Sequence, residues 1–386
     1  MVRKLLAMAV IALLLAAAFG LHLYIIDRLV VRTALSPPVP EVLTTLIWLG
    51  LAAIVVHPIA ERLLPRAIGR WISLVGTTWM GIVFWLLLAL AISDLFLAVG
   101  DELGFTGIGV ERARAVGVAV LVAAAVVMGG YNAWRGPRDV RVEIELARWP
   151  LALDGYRIAQ ISDIHIGPAL GRRFARELTR RVNALDADLV AVTGDLVDGR
   201  AHHLQDEVEP FAELRSRDGV FFVTGNHDHY SGANDWVDRV DELGMRALRN
   251  TSLRIERGAA GFTLAGVDDH RSKMMPGEGG EDLNCALDSI SSDDATVLLA
   301  HDPSTFKRAH AMGIDLQLSG HTHGGQIWPF EYFVRLAVPF VAGRYRLGEA
   351  ELYVSRGTGF WGPPLRLFAP AEITEIVLRA PPHASA

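Results

Sequence analysis

An α/β chain with four membrane-spanning helices ahead of a layered soluble domain is what this sequence predicts, on three observations. Four long, uncharged apolar stretches fill its first third. Beyond them, short apolar runs alternate with polar, helix-like stretches, the pattern of packed sheets and helices. Five of those short runs end in side chains of the kind that bind metals.

The apolar stretches lie at residues 5–26, 42–60, 71–93 and 115–134. Each reaches the about 20 residues needed to cross a bilayer core, and short charged links separate them, so spanning helices are expected rather than buried ones. The first stretch follows Arg3 and Lys4 as a signal peptide would, yet three further spans favour an uncleaved anchor. No charge lies inside these stretches; only His22 and His57 sit near their ends, which disfavours a transport path. Arg3, Lys4, Arg62, Arg66, Arg70, Arg135, Arg138 and Arg141 flank one side of the membrane, and Arg28, Arg32, Arg112 and Arg114 the other. Basic flanks resist translocation, so both termini are expected in the cytoplasm.

A linker, "YNAWRGPRD", comes after the last stretch. Residues 1–135 are therefore expected to form the membrane domain and 136–386 the soluble one. "VRVEIEL" from Val140 alternates as a half-buried strand does. "FARELTRRVNAL" from Phe174 reads as a helix, as does the segment around "DEVEPFAELRS". Residues 381–386 read as a disordered tail. Cys285 is the single cysteine, so no internal disulfide can form, and a net charge of -6 argues against a nucleic-acid partner.

The informative residues stand directly after each strand-like run. "YRIAQIS" leads to Asp163 and His165, "DLVAVTG" to Asp195, "VFFVTG" to Asn226 and His227, "ATVLLA" to His301, and "IDLQLSG" to His321 and His323. Binding sites of α/β sheets form beyond the carboxyl ends of strands, so five runs ending alike should converge. Residues two apart on an extended backbone point the same way, which would let Asp163 pair with His165, and His321 with His323. Glycines at 194, 225, 320, 324 and 325 permit tight turns and close approach. Carboxylate, amide and imidazole donors without thiolate suit manganese, iron or zinc better than an all-oxygen ion.

In order, D-x-H, G-D-x-x-D, G-N-H-D, a lone histidine and G-H-x-H make residues from about 140 to 380 resemble the calcineurin-like metallophosphoesterases. With the amino-terminal spans, "GHTHGGQ" and "VSRGTG", the chain is also similar to a bacterial branch of membrane-anchored phosphodiesterases and UDP-2,3-diacylglucosamine pyrophosphohydrolases. "FAPAEI" departs from the Pro-Pro-Glu-Ile of that branch. The resemblance implies a layered β-sandwich flanked by helices and two divalent ions. One would be held by Asp163, His165, Asp195 and His323, the other by Asp195, Asn226, His301 and His321. It further implies hydrolysis of a phosphodiester or pyrophosphate by metal-activated water, with His227 as catalytic acid and the protein in the inner membrane. A lipid-linked substrate is the preferred expectation; a phosphomonoesterase acting on soluble nucleotides or phosphoproteins, or an inactive membrane sensor, are the alternatives.

Asp198 and Asp228 complete their motifs and are expected to orient ligands. Asp269 ends another apolar run without an assigned role. His202, His203, His229 and His270 have no supporting spacing and are expected at the surface. Arg172, Arg176 and Arg180 have the spacing of a solvated helix face rather than an anion site. The apolar segment 327–341, with Trp328, Phe330 and Phe333, and the nearby Phe360 and Trp361, could pack a core or form a lip for an acyl chain.

Overall fold

The computed structural model describes residues 2–382 apart from 103, 105, 276–278 and 289–293; the end of the expected disordered tail, 383–386, lies outside the described residues. The chain divides into two compact units, Met1–Tyr131 with Gly362–Leu365, and Asn132–Trp361 with Arg366–Ala386.

In the first unit, α1 (Val2–Ile26), α2 (Val39–Leu63), α3 (Arg66–Glu102) and α4 (Ile108–Arg135) supply the four expected spans. Leu13, Phe96 and Val127 point outward, which costs nothing where lipid replaces water. The spans differ from the uncharged stretches in one respect. Helix α3 continues past Ser93 to Glu102 because Asp94 is matched by partners: Tyr24 Oη donates to it at 2.8 Å, Arg28 Nε at 2.9 Å and Arg114 Nη1 at 2.8 Å. Three donors from other segments let a carboxylate remain in a long apolar helix. Close approach of α2 and α3 rests on Gly50, where a Cβ would stand 2.2 Å from the Trp79 ring; Trp79 Nε1 in turn donates to His22 Nε2 at 3.1 Å.

The second unit is a sandwich. Its strands are β1 (Arg138–Glu145), β2 (Tyr156–Ile161), β3 (Leu189–Thr193), β4 (Val220–Val223), β5 (Arg246–Ala247), β6 (Thr251–Arg257), β7 (Ala260–Gly266), β8 (Thr296–Leu299), β9 (Leu316–Ser319), β10 (Gly343–Leu347), β11 (Ala350–Val354) and β12 (Glu372–Arg379). One sheet runs β1-β12-β2-β3-β4-β5 and the other β10-β11-β9-β8-β7-β6. Strands β2, β3 and β4 are parallel to one another, as are β7, β8 and β9, so each trio ends along one edge.

The short runs are almost wholly apolar because both faces of each sheet are covered. Leu189 and Ala191 of β3 face the other sheet, against Val297 and Leu299 of β8; Val190 and Val192 face the opposite way. There α5 (Arg172–Ala184), α6 (Ala201–Val208) and, after α7 (Asn226–Ser231), α8 (Ala233–Glu242) cover them with Leu178, Val182, Leu204 and Trp236. Across the second sheet, Phe306 and Ala309 cover Leu298 and Val354. The segment "DEVEPFAELRS" is not one helix: α6 stops at Val208 and a 3-10 turn, Glu209–Glu213, follows, with Pro210 near its start lacking the N–H that continuation needs. Near the working edge Gln160 ties the sheets, donating to Thr193 Oγ1 at 3.0 Å and to Ser319 O at 2.9 Å.

Candidate metal centre

All seven residues expected to hold metals, and His227, lie just beyond β2, β3, β4, β8 and β9. Their backbone is not the extended one that the spacing suggested. Asp163, His165, Asp195, His321 and His323 occupy the left-handed region, with φ of 51°, 53°, 53°, 74° and 52°. The chain recoils immediately after β2, β3 and β9, and His321 and His323 fall in different groups of donors. Two glycines let these loops meet. A Cβ on Gly320 would stand 2.0 Å from Ser162 Oγ and 2.1 Å from Asp163 Oδ2, and one on Gly225 would stand 2.2 Å from Asp195 Oδ1.

Two donor groups result: Asp163, His165 and His323, and Asp195, His301 and His321. Their hydrogen bonds fix which nitrogen is bare. His165 Nδ1 lies 2.9 Å from Asp198 Oδ1, so that nitrogen carries the proton and Nε2 presents its lone pair, 3.1 Å from His323 Nε2. His323 Nε2 is 3.4 Å from Asp163 Oδ1. His301 Nδ1 donates to Thr193 O at 2.8 Å, leaving its Nε2 lone pair 3.2 Å from Asp195 Oδ2 and 3.2 Å from His321 Nδ1. Asp195 adjoins both groups, since Oδ2 also lies 3.8 Å from His165 Nε2. Asn226 is buried, and its Oδ1 has no hydrogen-bond partner among the described residues. Carboxylate and imidazole atoms this close in a buried site need a proton or a cation between them, and a set of Asp, Asn and His donors with no thiolate fits divalent ions.

Protonation obeys the same logic. Burial opposes charge on His301, but Asp195 beside it holds its pKa well above the ordinary value; a proton does there what an ion would do better. Burial holds His323 and His321 down, the latter to about 3, leaving both neutral as ligands must be. Burial likewise works against charge on Asp198, yet His165 and His227 keep its carboxyl below the ordinary range. His227 Nδ1 meets the same Asp198 oxygen at 2.7 Å. Burial opposes the His227 charge too, but Asp195 and Asp198 raise its pKa to about 9. Asp228 ties the loops from beneath: it accepts from the amides of Asp195 at 2.9 Å, Leu196 at 2.9 Å and Gly225 at 2.8 Å. Burial and the Asp195 charge push its carboxyl up to about 7 against the pull of those amides.

One member of the centre was missed from the sequence. Arg366 is fully buried, donates to His323 O at 3.0 Å and Ala369 O at 3.2 Å, and has Nη2 3.1 Å from His323 Nδ1. Burial draws its pKa down to about 10. A charged residue inside the apolar run "PPLRLF" was the available signal.

His202 and His203 are exposed as expected, and Arg172, Arg176 and Arg180 lie on a solvated face, with Arg180 paired to Glu177. His229 is a correction: it is buried, with Nε2 3.0 Å from Thr224 Oγ1, because α7 turns that side inward. His270 is a second: it is half-buried beside Asp269 and Asp302. The apolar segment splits. Phe360 is buried against Leu170, while Trp328, Phe330, Phe333 and Trp361 are 40%, 46%, 56% and 52% exposed. The helix Glu331–Ala337 buries none of its residues. The ring of Trp361 lies 5.4 Å from that of His227, so exposed apolar surface reaches the site.

A family model described as calcineurin-like phosphoesterase matches residues 156–325. The chain is 35% identical to a transmembrane protein with metallophosphoesterase domain from Danio rerio over 326 residues, covering 80% of this chain and 74% of the fish protein. That span is longer than everything from residue 132 onward, so the similarity reaches into the apolar helices. A Bos taurus protein of the same description is 41% identical, covering 66% of this chain and 60% of its own length. An uncharacterized metallophosphoesterase of Campylobacter jejuni is 37% identical, covering 64% and 65%.

Proposed function

The chain belongs to the calcineurin-like metallophosphoesterases, and on that premise we propose that it is a membrane-anchored, two-metal hydrolase of phosphodiester or pyrophosphate bonds whose substrate is carried on a lipid. The observation that supports it most is the convergence of donor atoms from His323, His165, Asp195 and His301, each 3.1–3.8 Å from the next, together with a buried Asn226 Oδ1 that has no hydrogen-bond partner among the described residues. In this reading Asp163, His165, Asp195 and His323 hold one ion, and Asp195, Asn226, His301 and His321 the other. Such ions supply Lewis acidity, polarising phosphoryl oxygens and lowering the pKa of water; manganese, iron and zinc all suit the donors.

The chain's own residues do the rest. Asp195 is shared, so its charge is spread over both positions. Asp198 holds the Nδ1 protons of His165 and His227 on one oxygen, which fixes both rings. His227 Nε2 is thereby left to carry the proton for the leaving oxygen, and the Trp361 and Tyr230 rings, each 5.4 Å away, limit its motion. The half-exposed Trp361 beside His227, and the half-exposed Phe330 and Phe333 that follow the His323 loop in the chain, support a lipid-linked substrate. The basic flanks support a cytoplasmic catalytic domain at an inner membrane, with residues 1–135 as the anchor and 136–386 as the catalytic domain.

The test is cleavage by full-length protein in detergent, with and without manganese, of bis-p-nitrophenyl phosphate, p-nitrophenyl phosphate and UDP-2,3-diacylglucosamine. Metal-dependent cleavage of the diester or the lipid pyrophosphate, with little of the monoester, is expected. Preference for the monoester would overturn the bond assignment. Silence on all three by a protein that binds two ions would favour a sensor.

A further inference from the structure

Asp269 comes after β7 as Asp302 comes after β8, so a further strand brings a carboxylate to the working edge. Asp269, His270 and Asp302 each place one donor atom within 4.8 Å of the others'. Each carboxylate is anchored by one oxygen and free at the other. Asp269 Oδ1 accepts from Arg271 N at 2.9 Å, while Oδ2, buried with its residue, has no hydrogen-bond partner among the described residues. Asp302 Oδ1 accepts from Ser304 N at 2.8 Å, while Oδ2 stands 3.6 Å from His270 Nδ1 and 3.6 Å from His321 Nε2, beyond hydrogen-bond reach of either. His270 Nδ1 likewise has no hydrogen-bond partner among the described residues.

We propose that Asp269, His270 and Asp302 form a third divalent-cation site, adjoining the two-ion centre through His321. Two carboxylates held this close exclude an anion. Bonds of about 2.0–2.6 Å put donors around one ion no more than about 5 Å apart, which matches the spread of these three. One nitrogen and two oxygens suit the same borderline ions as the centre itself. Backbone amides already fix both carboxylates, so the ion would enter a site with little left to order. Asp302, which faces His321 as well, makes the third ion sensitive to occupancy of its neighbour.

The third site rests on the two-ion reading of its neighbour, and a metal count separates the two. Full-length protein in detergent is stripped with chelator and titrated with manganese, and bound ion is counted from the free-ion electron paramagnetic resonance signal. Three ions per chain are expected, falling to two in both Asp269→Asn and His270→Gln. The surviving two report that each variant still folds. Two ions in the wild type would overturn the third site and leave the two-ion reading intact. Three ions in wild type and in both variants would overturn the assignment to these residues. Fewer than two in the wild type would overturn both readings.

Discussion

Asp198→Asn tests how the centre is wired, because one oxygen serves two rings. Asp198 Oδ1 meets His165 Nδ1 at 2.9 Å and His227 Nδ1 at 2.7 Å. A hydrogen bond to a charged group contributes about 1.5–3 kcal/mol, roughly twice a neutral one. The amide keeps an acceptor and removes the charge, so each ring should lose about half, on the order of 0.8–1.5 kcal/mol, which at its upper end is roughly tenfold. For His165 the loss falls on affinity for the first ion, and for His227 on proton transfer. Manganese affinity, measured by competition with a metal-binding dye, should therefore weaken roughly tenfold, within the range known for groups behind a ligand. At saturating manganese, kcat should still fall by about tenfold. Affinity and kcat both within twofold of wild type would refute the shared-oxygen argument. A lower kcat at unchanged affinity would refute the His165 half alone.

His227→Ala should keep both ions and lose about 100-fold or more in turnover, judged by metal count and kcat together; near-normal turnover would remove His227 from the acid role. Gly320→Ala forces a methyl to within 2.0 Å of Ser162 Oγ and 2.1 Å of Asp163 Oδ2, so it should cost about 1–3 kcal/mol in chemical denaturation and weaken the first ion site. Phe330→Ser with Phe333→Ser, two half-exposed positions, should raise KM severalfold for a lipid-linked substrate and leave bis-p-nitrophenyl phosphate cleavage unchanged. Equal effects on both substrates would argue against an acyl-chain lip.

Much of the centre was legible because its donors stand directly after apolar runs, and a parallel strand has only one end at which to deliver them. Membrane spans were legible from length and composition, but the end of α3 was not. Whether Asp94 stops a span depends on Tyr24, Arg28 and Arg114, which no local window contains. Arg366 was hidden for the same reason, since a buried guanidinium is tolerable only where carbonyls from separate loops surround it. His229 and His270 lacked a spacing signal because short turns, not strands or long helices, orient them. The pairing of Asp163 with His165 was anticipated for the wrong reason. Extended geometry was assumed, whereas the left-handed backbone brings those two together and sends His321 and His323 to different partners.

That left-handed backbone also bears on whether the centre is kept for use. Aspartate and histidine tolerate positive φ better than most residues, yet each such position still costs about 1 kcal/mol that glycine would avoid. Replacing any of Asp163, His165, Asp195, His321 or His323 by glycine would relieve its own loop. A lineage that had abandoned hydrolysis would have five separate routes to a more relaxed fold, each open to a single substitution. This chain has taken none of them. Side chains held at all five positions against local conformational preference are what a working metal centre would require.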